Sequence, residues 1–274
     1  MIVIDAAPQI NPPRPLAFVL APTDQGTLIV NRFDYKVQAD GSTIGVGHML
    51  LSQATFDRDD IGWTKLLLGL RRRYFGDGVA VVDCGANIGV MTVEWGKSMT
   101  GWGSVLAIEA QERIYYALAG NLAIANCFNV RAINVAVGAA PGTIGIPQPN
   151  YLAPGTFGSL ELRQSERTEF IGQNVNYAHE NLVPVSMISI DSLALARLDL
   201  LKIDVEGMEM DVLAGAAATI GRTLPIMVIE HIKSDGAAMV ALLESHGYCL
   251  FQVGMNLLAI HPSDGTLTHL KLQT

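Results

Sequence analysis

The sequence predicts an α/β fold, a doubly wound and mostly parallel sheet with an N-terminal extension. Three observations predict it. Short β-branched runs ending in acids alternate with amphipathic segments. A glycine turn joins the first such run to the first such segment. The alternation breaks once, over residues 139–198, and then resumes to the end of the 274 residues.

Residues 1–78 are irregular at first, with Pro8, Pro12, Pro13, Pro15 and Pro22. Strand-like pieces follow at 27–30 and 43–46, then a helical stretch at 63–74. This part is expected to form an extension or cap, and residues 79–274 the main domain. There, strands are predicted at 79–84, 104–109 and 130–137. Ile88, Met91 and Trp95 recur at i, i+3 and i+7, which predicts a helix after the first. Ile114, Leu118 and Leu122 mark the helix between the other two. Residues 139–198 are rich in Gly, Pro, Ser and Asn, with one strand expected near 183–190. Connections this long are commonly functional, so a substrate-facing insertion is expected. Strands at 200–204, 225–230, 248–254 and 257–261 complete the pattern. No internal repeat is present.

The most informative stretch is Val81-Val82-Asp83-Cys84-Gly85-Ala86-Asn87-Ile88-Gly89. Glycine lets backbone approach a ligand, and a helix start presents free N–H groups. A second acid, Glu109, ends the next strand. It lies 109 − 89 = 20 residues after Gly89, near the ~20-residue offset at which a carboxylate reaches a ribose diol. The turn lacks Gly-x-Gly-x-x-Gly, and Asp83 would repel a pyrophosphate. It suits an ammonium instead. S-adenosylmethionine carries an amino-acid end, a sulfonium and a ribose, with no phosphate. The chemistry of this turn points to that cofactor and away from NAD.

The same stretch resembles the Asp-x-Gly-x-Asn-x-Gly turn of class I S-adenosylmethionine-dependent methyltransferases. Asp191-Ser192-Leu193 and Asp199-Leu200-Leu201-Lys202-Ile203-Asp204-Val205-Glu206-Gly207-Met208-Glu209 are similar to the signature of the FkbM-type family. Pro225-Ile226-Met227-Val228-Ile229-Glu230-His231 matches that family's next strand. The resemblance runs from about residue 79 to residue 231 and implies a Rossmann-like sheet of seven strands. It implies a cofactor set of Asp83, Gly85, Ala86, Asn87, Gly89, Glu109, Ala110, Ala136 and Asp204. Asp83, Gly85, Asn87 and Gly89 are expected at the methionine end, Glu109 at the ribose, and residues 134–137 beside the adenine.

Ligands of open α/β sheets bind outside the carboxyl ends of the strands. Asp204, Glu206, Glu230 and His231 are expected there. Methylation of a hydroxyl needs the acceptor held in line and relieved of its proton. Asp204, Glu206 or His231 could supply the base, and His231 is first on chemical grounds because its ordinary pKa suits neutral pH. Lys202 lies in an apolar strand and is expected to pair with one of these acids. Glu209 reads as a solvated helix residue or a cap. The loop 155–159 reads as a lid or substrate contact. No metal is expected, since no local ligand spacing is present.

The net charge of −8 and the lack of a broad basic face argue against nucleic acid as substrate. Arg71-Arg72-Arg73 reads as the solvated end of a helix. Asn11-Pro12-Pro13-Arg14 resembles the start of an amino-methyltransferase loop but lacks its aromatic, and reads as extended proline segment. No apolar run nears the roughly 18 residues of a membrane span, and the start has no signal-peptide pattern. Cys84, Cys127 and Cys249 read as free thiols, so the cytoplasm is expected. The expected activity is S-adenosylmethionine-dependent methylation of a hydroxyl on a small molecule or sugar. An NAD-linked oxidoreductase and a non-catalytic scaffold that keeps the fold are the alternatives.

Overall fold

Strands that are apolar on both faces can only be buried between two layers, and the central sheet is built from such strands. The computed structural model describes residues 14–270. The Asn11-Pro12-Pro13 reading and the chain start lie outside them. In chain order the strands are β1 (Phe18–Thr23), β2 (Gly26–Asn31), β3 (Lys36–Val37), β4 (Thr43–Ile44), β5 (Val79–Cys84), β6 (Gly103–Ile108), β7 (Val130–Ile133), β8 (Ala136–Val137), β9 (Gly142–Ile146), β10 (Val183–Ile188), β11 (Leu200–Ile203), β12 (Ile226–Glu230), β13 (Cys249–Val253) and β14 (Asn256–Ile260). The helices are α1 (Val46–Gln53), α2 (Arg58–Phe75), α3 (Val90–Ser98), α4 (Glu112–Ile124), α5 (Glu209–Ala214), α6 (Ala217–Thr223) and α7 (Gly236–Ser245).

The main sheet has seven strands in the order β13-β14-β12-β11-β5-β6-β7. β14 runs antiparallel to both its neighbours, and the other pairings are parallel. This is the doubly wound, mostly parallel seven-stranded α/β fold expected from the sequence. Alternate residues of each strand face opposite layers. Val79, Val81, Leu200, Val228 and Leu258 pack toward Leu67 of α2, Trp95 of α3 and Leu118 of α4. Val82, Cys84, Leu201, Ile203, Met227 and Ile229 pack toward Val212, Ile220, Met239 and Leu243 of α5–α7.

The early residues join the first of these layers rather than standing apart. Leu28, Val30, Leu50 and Ile61 lie in the same buried cluster as Trp95 and Leu118. Asn121 of α4 is fully buried, and its amide donates to Ile29 O at 3.2 Å and accepts from Ile29 N. A helix side chain thus satisfies β2 much as a neighbouring strand would.

Some boundaries differ from expectation. The run at 130–137 breaks at Asn134, whose Nδ2 donates to Glu109 O and Ala110 O, so β8 leaves the main sheet and pairs with β10. The piece at 43–46 is a strand only to Ile44, because Gly45 (φ 135) turns the chain into α1. Arg71 corrects the reading of the triple arginine. It is buried, its Nε donates to Asp199 Oδ1 at 3.0 Å, and its Nη1 donates to Asp264 Oδ2 at 2.7 Å. Its guanidinium also lies 4.1 Å from the Phe75 ring centre. Arg72 and Arg73 remain exposed. No described helix is long and apolar enough to cross a membrane.

Candidate functional site

The carboxyl ends of β5, β6, β11 and β12 open onto one cleft of about 540 Å³. Its first side follows from the glycine turn. Gly85 has φ 79, and a Cβ there would lie 1.7 Å from Asp204 O, so only glycine allows β5 and β11 to approach this closely. Asn87 takes the left-handed conformation (φ 50) that asparagine tolerates. That turn aims its N–H at Glu109 Oε2, 3.0 Å away. Glu109 Oε1 accepts from Gln111 N at 2.8 Å. Burial pushes the Glu109 carboxyl up to about 7, against those two backbone bonds. Asp83 is 1% exposed. Thr92 Oγ1 donates to its Oδ2, whereas its Oδ1 has no hydrogen-bond partner among the described residues.

Strand register builds the second side. Lys202 stands opposite Asp83, and its Nζ lies 3.7 Å from Asp83 Oδ1 and 3.0 Å from Asp204 Oδ2. The buried lysine therefore pairs with an acid as expected, and with two rather than one. Glu206 has φ 55, an uncommon conformation for this residue, followed by Gly207 at φ 92. The loop is held in this shape by Glu209, whose Oε1 accepts from Val205 N at 3.3 Å and Gly207 N at 3.0 Å. Glu209 is 2% exposed and bonds the loop before α5 rather than the N–H groups of the helix, which corrects both its solvated and its capping reading. Lys233 Nζ lies 2.5 Å from Glu206 Oε2 and 3.0 Å from Glu169 Oε2. Burial, then the charge of Asp204, raises the Glu206 carboxyl. Burial, then the charges of Asp204 and Glu206, raises that of Glu230.

Asp83, Gly85, Ala86, Asn87, Glu109, Ala110, Ala136, Lys202, Asp204 and Glu206 all line the cleft. Gly89 sits behind the turn as the residue before α3. His231 does not line the cleft: its Nε2 meets Gln252 Oε1 on β13, 3.1 Å away. The geometry does not bring this histidine to the place assigned to the base. The loop at 155–159 forms part of the cleft wall through Thr156, Gly158 and Ser159. Phe157 is fully buried, its N–H donates to Asp34 Oδ1 at 3.1 Å, and its carbonyl accepts from Gln111 Nε2 at 2.8 Å.

Asp34 and Gln111 are site-building residues that the sequence reading did not single out. Asp34 also accepts from Gly47 N, and burial pushes its carboxyl up to about 6. Their partners lie 123 and 46 residues away in the chain, so no local pattern marks them. Apolar walls come from Val46, Phe56, Leu160, Ile232 and Met255. Among the described residues, no cluster of three or more His, Cys, Asp or Glu is arranged to hold a metal ion.

The Methyltransferase FkbM domain family matches residues 83–250, more than half of the chain. Methyltransferase 1 of Beauveria bassiana (strain ARSEF 2860) is 29% identical over 187 residues, covering 64% of this chain and 74% of that protein. Methyltransferase sdnD of Sordaria araneosa is 28% identical over 190 residues, covering 61% and 73%. Among solved structures, the methyltransferase FkbM of Methylobacillus flagellatus KT aligns with a TM-score of 0.46 at 17% identity. That alignment covers 70% of this chain and 48% of the other, so this chain spans about half of that protein's length.

Proposed function

The chain belongs to the methyltransferase FkbM family, and from that premise we propose that it transfers a methyl group from S-adenosylmethionine to a hydroxyl of a small molecule or sugar. The residues present fit that cofactor. The single observation that carries the reading is Asp83 Oδ1, buried in the cleft and without a hydrogen-bond partner. A buried carboxylate oxygen that lacks a hydrogen bond is costly; its nearest cation, Lys202 Nζ, stands 3.7 Å away, beyond hydrogen-bond reach, and a ligand ammonium would satisfy it. Each oxygen of Glu109 accepts one backbone N–H and keeps a lone pair free for a ribose hydroxyl. Ala110, Val135, Ala136 and Val137 offer an apolar surface for an adenine.

Bound there, S-adenosylmethionine supplies a methyl group on a sulfonium, an electrophile that needs no further activation. Asp204 and Glu206 flank the place where the acceptor would lie, each held by a lysine. Phe56, Ile232 and Met255 line the same cleft with apolar surface. A carboxyl at this end of the sheet receives the acceptor proton. The charge of −8 favours a small acceptor over nucleic acid. The open cleft speaks against a scaffold whose pocket has been filled by side chains.

Titration of tryptophan fluorescence tests the reading, the three tryptophans serving as reporters. S-adenosylmethionine should quench and NAD should not. Asp83→Asn should weaken the binding roughly 10²-fold, the worth of a hydrogen-bonded charged group. Quenching by NAD alone would favour the oxidoreductase. Screening sugar and polyketide alcohols for methylated product then identifies the acceptor.

A further inference from the structure

The carboxyls at the ends of β11 and β12 differ in their partners. Asp204 is answered by Lys202 at 3.0 Å and Glu206 by Lys233 at 2.5 Å. Glu230 lines the same cleft and forms no ion pair among the described residues. An ammonium stabilises the anion it faces and makes it a weaker base. Register fixes where Glu230 stands. Ile203 lies opposite Ile229, so Asp204 and Glu230 are neighbours on one face of the sheet. On the other side Glu230 faces Asn256 of β14, whose Nδ2 is taken by Asp60. The charged groups that act on it are Asp204, Glu206 and Lys202 from β11 and its loop; Asp60 of α2 holds the Asn256 amide on the neighbouring strand, and Asp57, just before α2, lines the same cleft. Asp57 has no ion-pair partner among the described residues either, but its side chain is exposed.

Resting on the hydroxyl reading above, we propose that Glu230 is a further catalytic residue, the base that takes the acceptor proton. The acceptor O–H bond breaks and its proton passes to Glu230. The oxygen electron pair forms the new O–C bond, and the pair from the broken S–C bond stays on sulfur. Glu230, itself partly exposed, then returns the proton to water. Burial and the anions beside it push its carboxyl up to about 9, and no ammonium faces it to hold its anion in place of the proton.

Glu230→Gln in the full chain is the test. With the acceptor alcohol from the screen, the wild-type kcat should climb with pH toward about 9. The variant should lose that limb and roughly 10²–10⁴-fold in kcat, the span of general-base catalysis, with unchanged affinity for S-adenosylhomocysteine. Difference infrared spectroscopy of the free protein needs no turnover. The protonated-carboxyl absorption at neutral pH should be smaller in E230Q than in wild type by the share of one group, the buried Glu109 and Glu206 carboxyls supplying the remainder. A wild-type pH profile in E230Q overturns the assignment, and so does an unaltered absorption. A wild type that shows this difference from E230Q yet methylates no alcohol overturns the hydroxyl reading and leaves the proton-holding carboxyl standing.

Discussion

The two sides of the cleft hold their carboxyls by different means. At the ends of β5 and β6, Glu109 and Asp83 take their hydrogen bonds from neutral donors, two backbone N–H groups and the Thr92 hydroxyl, with the Lys202 ammonium 3.7 Å from Asp83. At the ends of β11 and β12, Asp204 and Glu206 are held by ammonium groups and Glu230 by neither. Neutral donors orient a carboxylate without cancelling its charge, which suits fixed recognition of a cationic or diol-bearing ligand. Lysines cancel charge and leave one carboxyl free to gain and lose a proton. The first side is arranged for binding and the second for proton transfer.

Lys202 faces a carboxyl on each side, so its removal should disturb them together. Lys202→Ala leaves Asp83 buried opposite a gap and should cost about 3 kcal/mol in urea unfolding, as breaking a buried ion pair does. A loss under about 1 kcal/mol would mean that the two sides are independent, within the range of ordinary surface changes.

Glu109 sharpens the contrast through pH. Its carboxyl is raised to about 7 in the folded chain, so its contribution to stability is full below its ordinary value and is lost as pH rises through about 7. Cofactor affinity should move the opposite way, because ribose hydroxyls donate best to the ionised form. Isothermal titration across that range should show tightening in wild type and a flat response in Glu109→Gln.

The smallest effect is expected at His231. His231→Ala should keep kcat within about twofold and stability within about 0.5 kcal/mol, as for a surface site. A large loss in kcat would return the histidine to the reaction.

The first side was legible because it is nearly contiguous. The turn from Asp83 to Gly89 and the acid at Glu109 carry their spacing in the chain itself. Lys202 was legible too, since a charge inside an apolar strand demands a partner. The second side depends on register, which no single strand encodes. Glu230 and His231 are adjacent, and only the pairing of β12 with β11 and β14 shows which of them faces the cleft. Arg71 was misread for a related reason. Three arginines in a row look alike until Asp199 and Asp264, 128 and 193 residues away, single one out.

That arginine has a kinetic consequence. Its two carboxylates flank the second half of the sheet in sequence, one just before β11 and one just after β14. A contact spanning 193 residues must wait until the strands between are assembled, because closing so long a loop early costs entropy that no partner yet offsets. The clasp therefore belongs to the last steps of folding, where its strength slows escape from the native state more than it hastens arrival.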